Sequence, residues 1–168
     1  MRKVAARCEL SATAIYRHYD DKDALLVSIV VQSFELFSAY LMRSLSGKTP
    51  LERFELTARA YFDFAIENER DYQLIFMTDC RDLGFLDLSA GTRENLGNTY
   101  RFLLDRLREC SENGDFRYAD LEAAGVFVWA QNHGLVSLWL TGQLGEERAM
   151  FESLVDRSIR GVVQSLSA

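Results

Sequence analysis

The chain has one proline, Pro50, two histidines and three cysteines in 168 residues, and each shortage excludes something. An all-β chain needs far more turn punctuation than this, so most of the length reads as helix. Cys8, Cys80 and Cys110 are odd in number and share no metal-ligand spacing, and the chain does not open on a signal-peptide pattern. A cytoplasmic location with no metal and no cofactor follows as the expectation. With His18 and His133 the only histidines, and with no nucleophile elbow, glycine-rich phosphate loop or paired cysteines, no constellation offers acid–base or metal chemistry. An enzyme is therefore the weaker reading. Positive charge is also short, at a net −6. Residues 1–23 carry five Lys or Arg against four Asp or Glu, giving +1 and leaving −7 for the remainder. The acidic excess lies behind the first two dozen residues, so a polyanionic partner can meet only that first stretch.

What the chain does have is apolar periodicity at helical spacing, with 48% hydrophobic and 26% charged residues, enough for one substantial core. Asp21 is placed to cap a long helix from Lys22 to about Ser46, with Leu25, Ile29, Phe37 and Leu41 on one side and Leu26, Val30 and Phe34 beside them. Gly47 ends it, and Thr49-Pro50-Leu51-Glu52 opens the next helix with a cap and a proline at the first helical position. That helix, to about Asn68, places Phe54, Ala58, Tyr61, Phe62 and Ala65 on one face. A short apolar segment follows over Tyr72–Thr78, and then a loop over Asp79–Gly91 suited to gating an opening. Thr92 is expected to cap a helix with Leu96, Tyr100, Leu103, Leu107 and Cys110 inward. Cys8 and Cys110 read as buried, inert thiols, and Cys80 as the one to test for redox chemistry.

From Ala123 through Gly145 no residue is charged. Gln131, Asn132 and His133 at the middle of that run, and the lack of a flanking Lys or Arg cluster, argue against a membrane span. Within the helix 119–142, Gly125, Trp129, His133, Val136 and Leu140 form one stripe, and Ala123, Phe127, Ala130, Gly134, Leu138 and Thr141 form the other. A helix apolar on both faces is covered on both. The last helix, 147–166, shows a single stripe of Phe151, Leu154, Val155, Ile159, Val162 and Leu166. Helices 119–142 and 147–166 together suggest a four-helix interface across a two-fold axis, that is, a homodimer.

The opening run V-A-A-R-C-E-L followed by S-A-T-A-I-Y-R-H-Y-D-D-K-D-A-L reads as two short helices joined by a tight turn, with Ser11 capping the second and Val4, Leu10 and Ile15 as apolar anchors. The pattern S-x-x-x-I-Y-x-H-Y-x-x-K-D-x-L resembles the TetR family of bacterial transcriptional regulators, and W-A-Q-N-H-G at 129–134 is similar to the Trp-x-x-x-His-Gly signature of one C-terminal subclass. The fold expected is all-α: an incomplete N-terminal helix-turn-helix at 1–23, then a ligand-binding and dimerisation bundle at 24–168, with the helix 22–46 connecting the two. In the family a further helix precedes both short ones. Only Met1, Arg2 and Lys3 stand before Val4, so a reader without its first helix is expected. The family often has glycine where Glu9 stands.

The resemblance implies a double-stranded palindromic operator, a small-molecule effector whose binding releases DNA, and no membrane. Carried over by position, Ser11, Tyr16 and Lys22 would hold phosphates, His18 would lie at the backbone, and Ala12, Thr13 and Arg17 would face base edges. Other readings stand beside these. Tyr19 continues the inward face from Ile15, His18 fits a plain surface residue equally, and Lys22 among Asp20, Asp21 and Asp23 fits a solvated charge cluster. Tyr61, Phe62, Phe76, Tyr100, Phe127, Trp129 and His133 are the candidates for an aromatic pocket suited to an apolar or aromatic effector, and each also fits core packing. His133 either gives such a ligand one polar contact or satisfies a carbonyl or a partner chain. The competing function is a ligand-binding and dimerisation module that no longer binds DNA by itself.

Overall fold

The computed structural model describes residues 1–79 and 90–167, with the side chains of 90–96 left aside. Among these residues there is no strand, and the helices are α1 (Arg2–Arg7), α2 (Ala12–Tyr16), α3 (Lys22–Met42), α4 (Pro50–Glu67), α5 (Glu69–Met77), α6 (Ala90–Asn113), α7 (Leu121–Leu140) and α8 (Arg148–Leu166). The last turn of α3 tightens into a 3₁₀ segment, Arg43–Ser46.

Local sequence chemistry sets most of the boundaries. The Ser11 hydroxyl accepts from the Ala14 N–H at 3.1 Å, and the Asp21 carboxylate from the Ala24 N–H at 2.8 Å. Thr49 and Glu52 close a reciprocal capping box ahead of Pro50, and Asp120 caps α7. Each such cap contributes about 1 kcal/mol by satisfying amides that have no partner inside the helix. Gly47 is required for space: a Cβ there would lie 2.8 Å from the Arg53 nitrogen, where α4 starts back across the end of α3.

The core is built between the helices in two parts. In one, Val30, Phe34, Phe37 and Leu41 of α3 meet Phe62, Phe64 and Ala65 of α4, Tyr72 of α5, and Phe151 and Val155 of α8. In the other, Phe54 packs edge-on against Phe116 beside Leu107, Cys110, Val128, Val162 and Leu166. Burying each large side chain contributes about 2–3 kcal/mol. The Arg117 N–H donates to the Leu166 carbonyl at 2.7 Å and ties the end of α8 to the turn after α6. The stretch Lys22–Ser46, at mean hydropathy 1.7, is long and apolar enough to cross a membrane by composition, but its inner face is the core just described.

Several expectations need correction. Val4 and Leu10 are exposed, and so is Cys8; in so short a helix pair only Ala5 and Ile15 turn inward. Ile29 is exposed, because the buried stripe of α3 runs through Val30, Ser33, Phe34, Phe37, Tyr40 and Leu41. The helix expected from Thr92 begins at Ala90. Cys80, most of the gating loop, and the side chains of Thr92 and Leu96 lie outside the described residues.

Candidate DNA-reading helices and effector cavity

The connection between α1 and α2 is closed by backbone hydrogen bonds. The Leu10 N–H donates to the Ala5 carbonyl at 2.9 Å and the Glu9 N–H to the Ala6 carbonyl at 3.4 Å, which is the Schellman pattern of a helix end. That pattern puts Glu9 at φ 56, the left-handed region in which glycine is most at ease. Of the residues expected at DNA, Ser11, Thr13, Tyr16, Arg17, His18 and Lys22 are exposed and Ala12 is half-buried. Tyr16 keeps 52% of its surface exposed. Tyr19 turns the other way, with its hydroxyl 3.5 Å from Ser28 of α3, so it fits the packing reading. Arg2, Lys3, Arg7 and Arg17 are exposed as well.

Deeper in the chain lies a cavity of about 470 Å³. Phe34, Phe37 and Leu41 reach it from α3, Phe54, Ala58 and Tyr61 from α4, Ile75 and Phe76 from α5, Tyr100 and Leu103 from α6, and Trp129 and Asn132 from α7. Phe76 is the centre of its aromatic wall, with ring centroids 5.3 Å from Phe37, 5.7 Å from Tyr61 and 6.4 Å from Trp129. A second cleft of about 530 Å³ runs between α4 and α8; it carries Lys48, Glu55, Arg59, Asp156 and Arg160 and opens widely to solvent. Its largely apolar, aromatic lining makes the first the candidate site for a small molecule.

Four of the expected pocket residues, Tyr61, Phe76, Tyr100 and Trp129, line that cavity. Phe62 does not: it faces away from the cavity and packs against Phe151, centroids 6.3 Å apart. Phe127 does not either; it stands 45% exposed on the outer side of α7. Trp129, placed by pattern on an inner stripe, is 41% exposed at the margin of the cavity. His133 sits one layer behind. Its Nδ1 is 2.7 Å from the Tyr72 hydroxyl and 3.4 Å from that of Tyr61, and the two hydroxyls are 2.8 Å apart. Burial lowers the His133 pKa and raises those of both phenols, with Tyr72 adding to the rise at Tyr61, so all three are neutral near pH 7. A neutral imidazole accepting at Nδ1 carries its proton on Nε2. The lining contributed by α3 was not anticipated, because that helix reads as a connector. Asn132 was passed over although its spacing from Val128 and Val136 marks the buried stripe.

Residues 54–162 match the profile described as "Tetracyclin repressor-like, C-terminal domain", and residues 1–29 match "Bacterial regulatory proteins, tetR family". The chain belongs to the TetR family.

Solved structures of TetR-family and related regulators share the fold. A tetR-family regulatory protein from Rhodococcus RHA1 superposes with a TM-score of 0.73 at 19% identity, over 96% of this chain and 84% of that one. PfmR, a TetR-family transcriptional regulator from Thermus thermophilus, gives 0.72 at 22%, over 95% and 86%. The ketosteroid transcriptional regulator KstR2 of Mycobacterium tuberculosis gives 0.76 at 16%, over 99% and 84%. No curated protein matches the chain significantly in sequence. As a TetR-family member the chain is a DNA-binding transcriptional regulator.

Proposed function

We propose that this regulator is a repressor that works as a homodimer and releases its operator when a small apolar or aromatic molecule fills the cavity. The observation that carries the reading is the course of α3. It leaves the reader at Lys22 and, within the same rigid element, contributes Phe34, Phe37 and Leu41 to the cavity wall. A ligand that favours one tilt of α3 therefore biases the placement of α1 and α2, and it does so only as far as it binds the two tilts unequally. Ser11, Tyr16, Lys22 and His18 are assigned to the DNA backbone, and Ala12, Thr13 and Arg17 to base edges; their exposure supports this. The outer side of α7, with Val126, Phe127 and Leu138 exposed, and Gly134 with open space at its Cα, supports pairing of α7 and α8 with a second copy. Such a regulator acts in the cytoplasm, without metal or cofactor.

Fluorescence anisotropy of the full chain against duplex DNA flanking its own gene, and against a scrambled duplex, tests the reading. Tighter binding to the flanking DNA, weakening steeply with salt, is expected. Tyr16→Phe should weaken it by about 1 kcal/mol on every sequence, as loss of a phosphate contact does. Equal affinity for both duplexes would refute sequence-specific repression, and an effect of Tyr16→Phe confined to one base position would refute the phosphate assignment. A dimerising ligand-binding module that does not hold DNA by itself is the second reading. The exposure of Val4 and Leu10, apolar side chains with no core over them, favours it. Absence of binding to either duplex would select it.

A further inference from the structure

Among the described residues of the cavity lining, one buried polar group is left unused by the fold. Asn132 is 5% exposed and lines the cavity, yet no hydrogen bond joins its amide to any described residue. Other polar groups of the lining are committed elsewhere. The Thr57 hydroxyl is bound to the Arg53 carbonyl and to Ser44, that of Thr78 to the Gln73 carbonyl, that of Tyr61 to Tyr72, and that of Tyr100 to Glu122. The amide is not sealed off: the fully buried unpartnered side-chain atoms among the described residues are those of Arg106, so the Asn132 amide meets the space of the cavity and is open to a partner there. A side-chain amide offers one acceptor oxygen and two donor hydrogens, which complement a carboxamide or another neutral carbonyl group.

Charge is the second constraint. Among the described residues that line the cavity there is no Asp, Glu, Lys or Arg. A carboxylate or ammonium group drawn inside would lose its water without meeting a counter-charge among these residues. Phe37, Phe76 and Trp129 supply flat apolar wall in the same cavity.

Resting on the reading of the cavity as the effector site, we propose that Asn132 is the specificity-determining anchor for a neutral, ring-containing effector bearing a carboxamide or similar carbonyl. The amide pairs with that carbonyl group, the aromatic wall covers the rings, and anionic analogues are turned away.

Three near-isosteric probes test this on the full chain by isothermal titration at pH 7.5: 2-naphthamide, 2-naphthoate and 2-isopropenylnaphthalene. The amide is expected to bind about tenfold or more tightly than the hydrocarbon, and the carboxylate most weakly. Asn132→Leu, which keeps the branching of the side chain but replaces the amide with somewhat bulkier methyl groups, should erase the advantage of the amide while keeping hydrocarbon binding. Asn132→Ser should retain part of it. The order of affinities in the unaltered protein tests the idea even if Asn132→Leu fails to fold. Equal binding of amide and hydrocarbon, naphthoate binding as well as naphthamide, or an undiminished preference in Asn132→Leu would overturn the role of Asn132 while leaving the cavity as a binding site. If none of the three probes binds, the effector reading of the cavity falls, and the anchor with it.

Discussion

Replacing Glu9 with glycine should stabilise the reader. Glu9 ends α1 at φ 56, where a side chain brings its Cβ against the neighbouring carbonyl at a cost of roughly 1–2 kcal/mol. Glycine removes that cost but gives up about 0.5–1 kcal/mol through the greater freedom of the unfolded chain. The balance is a gain of about 1 kcal/mol, which corresponds to roughly a fivefold slowing of local opening. The amide to follow is that of Leu10, whose hydrogen bond to the Ala5 carbonyl closes the turn. Its hydrogen exchange, measured at neutral pH, should slow by that factor in Glu9→Gly. Glu9→Ala separates the causes, since it removes the same carboxylate and keeps the Cβ. Its exchange should stay close to that of the parent. Equal protection in both variants would mean that charge at the end of α1 is responsible, and unchanged or faster exchange in Glu9→Gly would refute the strain argument outright.

Other outcomes follow from the packing and the buried groups. Gly125→Ala gains about 1 kcal/mol in helix propensity, but the new Cβ would stand 2.5 Å from Leu104 Cδ2 and 2.8 Å from the Tyr100 hydroxyl. Overpacking of about 1–3 kcal/mol should prevail and lower the thermal midpoint, and a raised midpoint would contradict it. His133, whose folded pKa is lowered by burial, takes up a proton more readily when unfolded. Its contribution to stability is therefore present above the unfolded value of about 6.5 and lost as pH falls below it; melts between pH 7.5 and 5.5 should show a loss that His133→Gln reduces, and an identical loss in the variant would exclude His133 as its source. Burial, with Asp115 and Glu109 nearby, pushes the Cys110 thiol up to about 12, whereas Cys8 is exposed. Iodoacetamide at pH 8 should label Cys8 in the native protein and reach Cys110 only through unfolding, and peptide mapping that finds Cys110 labelled first would reverse the assignment.

Caps were legible in the sequence because their chemistry is local: Ser11, Asp21 and the Thr49–Glu52 pair need only residues three positions away to act. The stripe of α8 was legible because only one of its faces is apolar. In α7 both faces are apolar, so periodicity could not decide which one turns inward, and Phe127 and Trp129 were assigned to the pocket although one faces out and the other edges it. Phe34 and Phe37 were seen as helix-packing residues but not as cavity wall, because a cavity is a gap between five helices and no single helix records it. Asn132 was noticed only as an amide too polar for a membrane. Its place on the buried stripe was readable, but not the lack of a partner, which depends on every side chain around it.

The course of α3 also sets a scale for signalling. Phe37 and Lys22 are fifteen residues apart on one helix, or about 22 Å at 1.5 Å per residue, so a rotation of about 5° pivoting at the aromatic wall carries Lys22 through about 2 Å. In the proposed two-fold pair the displacements would occur at both ends and alter the spacing of the two readers by up to about 4 Å against half-sites about 34 Å apart. A shift of that size exceeds the reach of a hydrogen bond. In the proposed dimer, a tilt of that size in each α3 would shift both readers against DNA with no rearrangement of the fold.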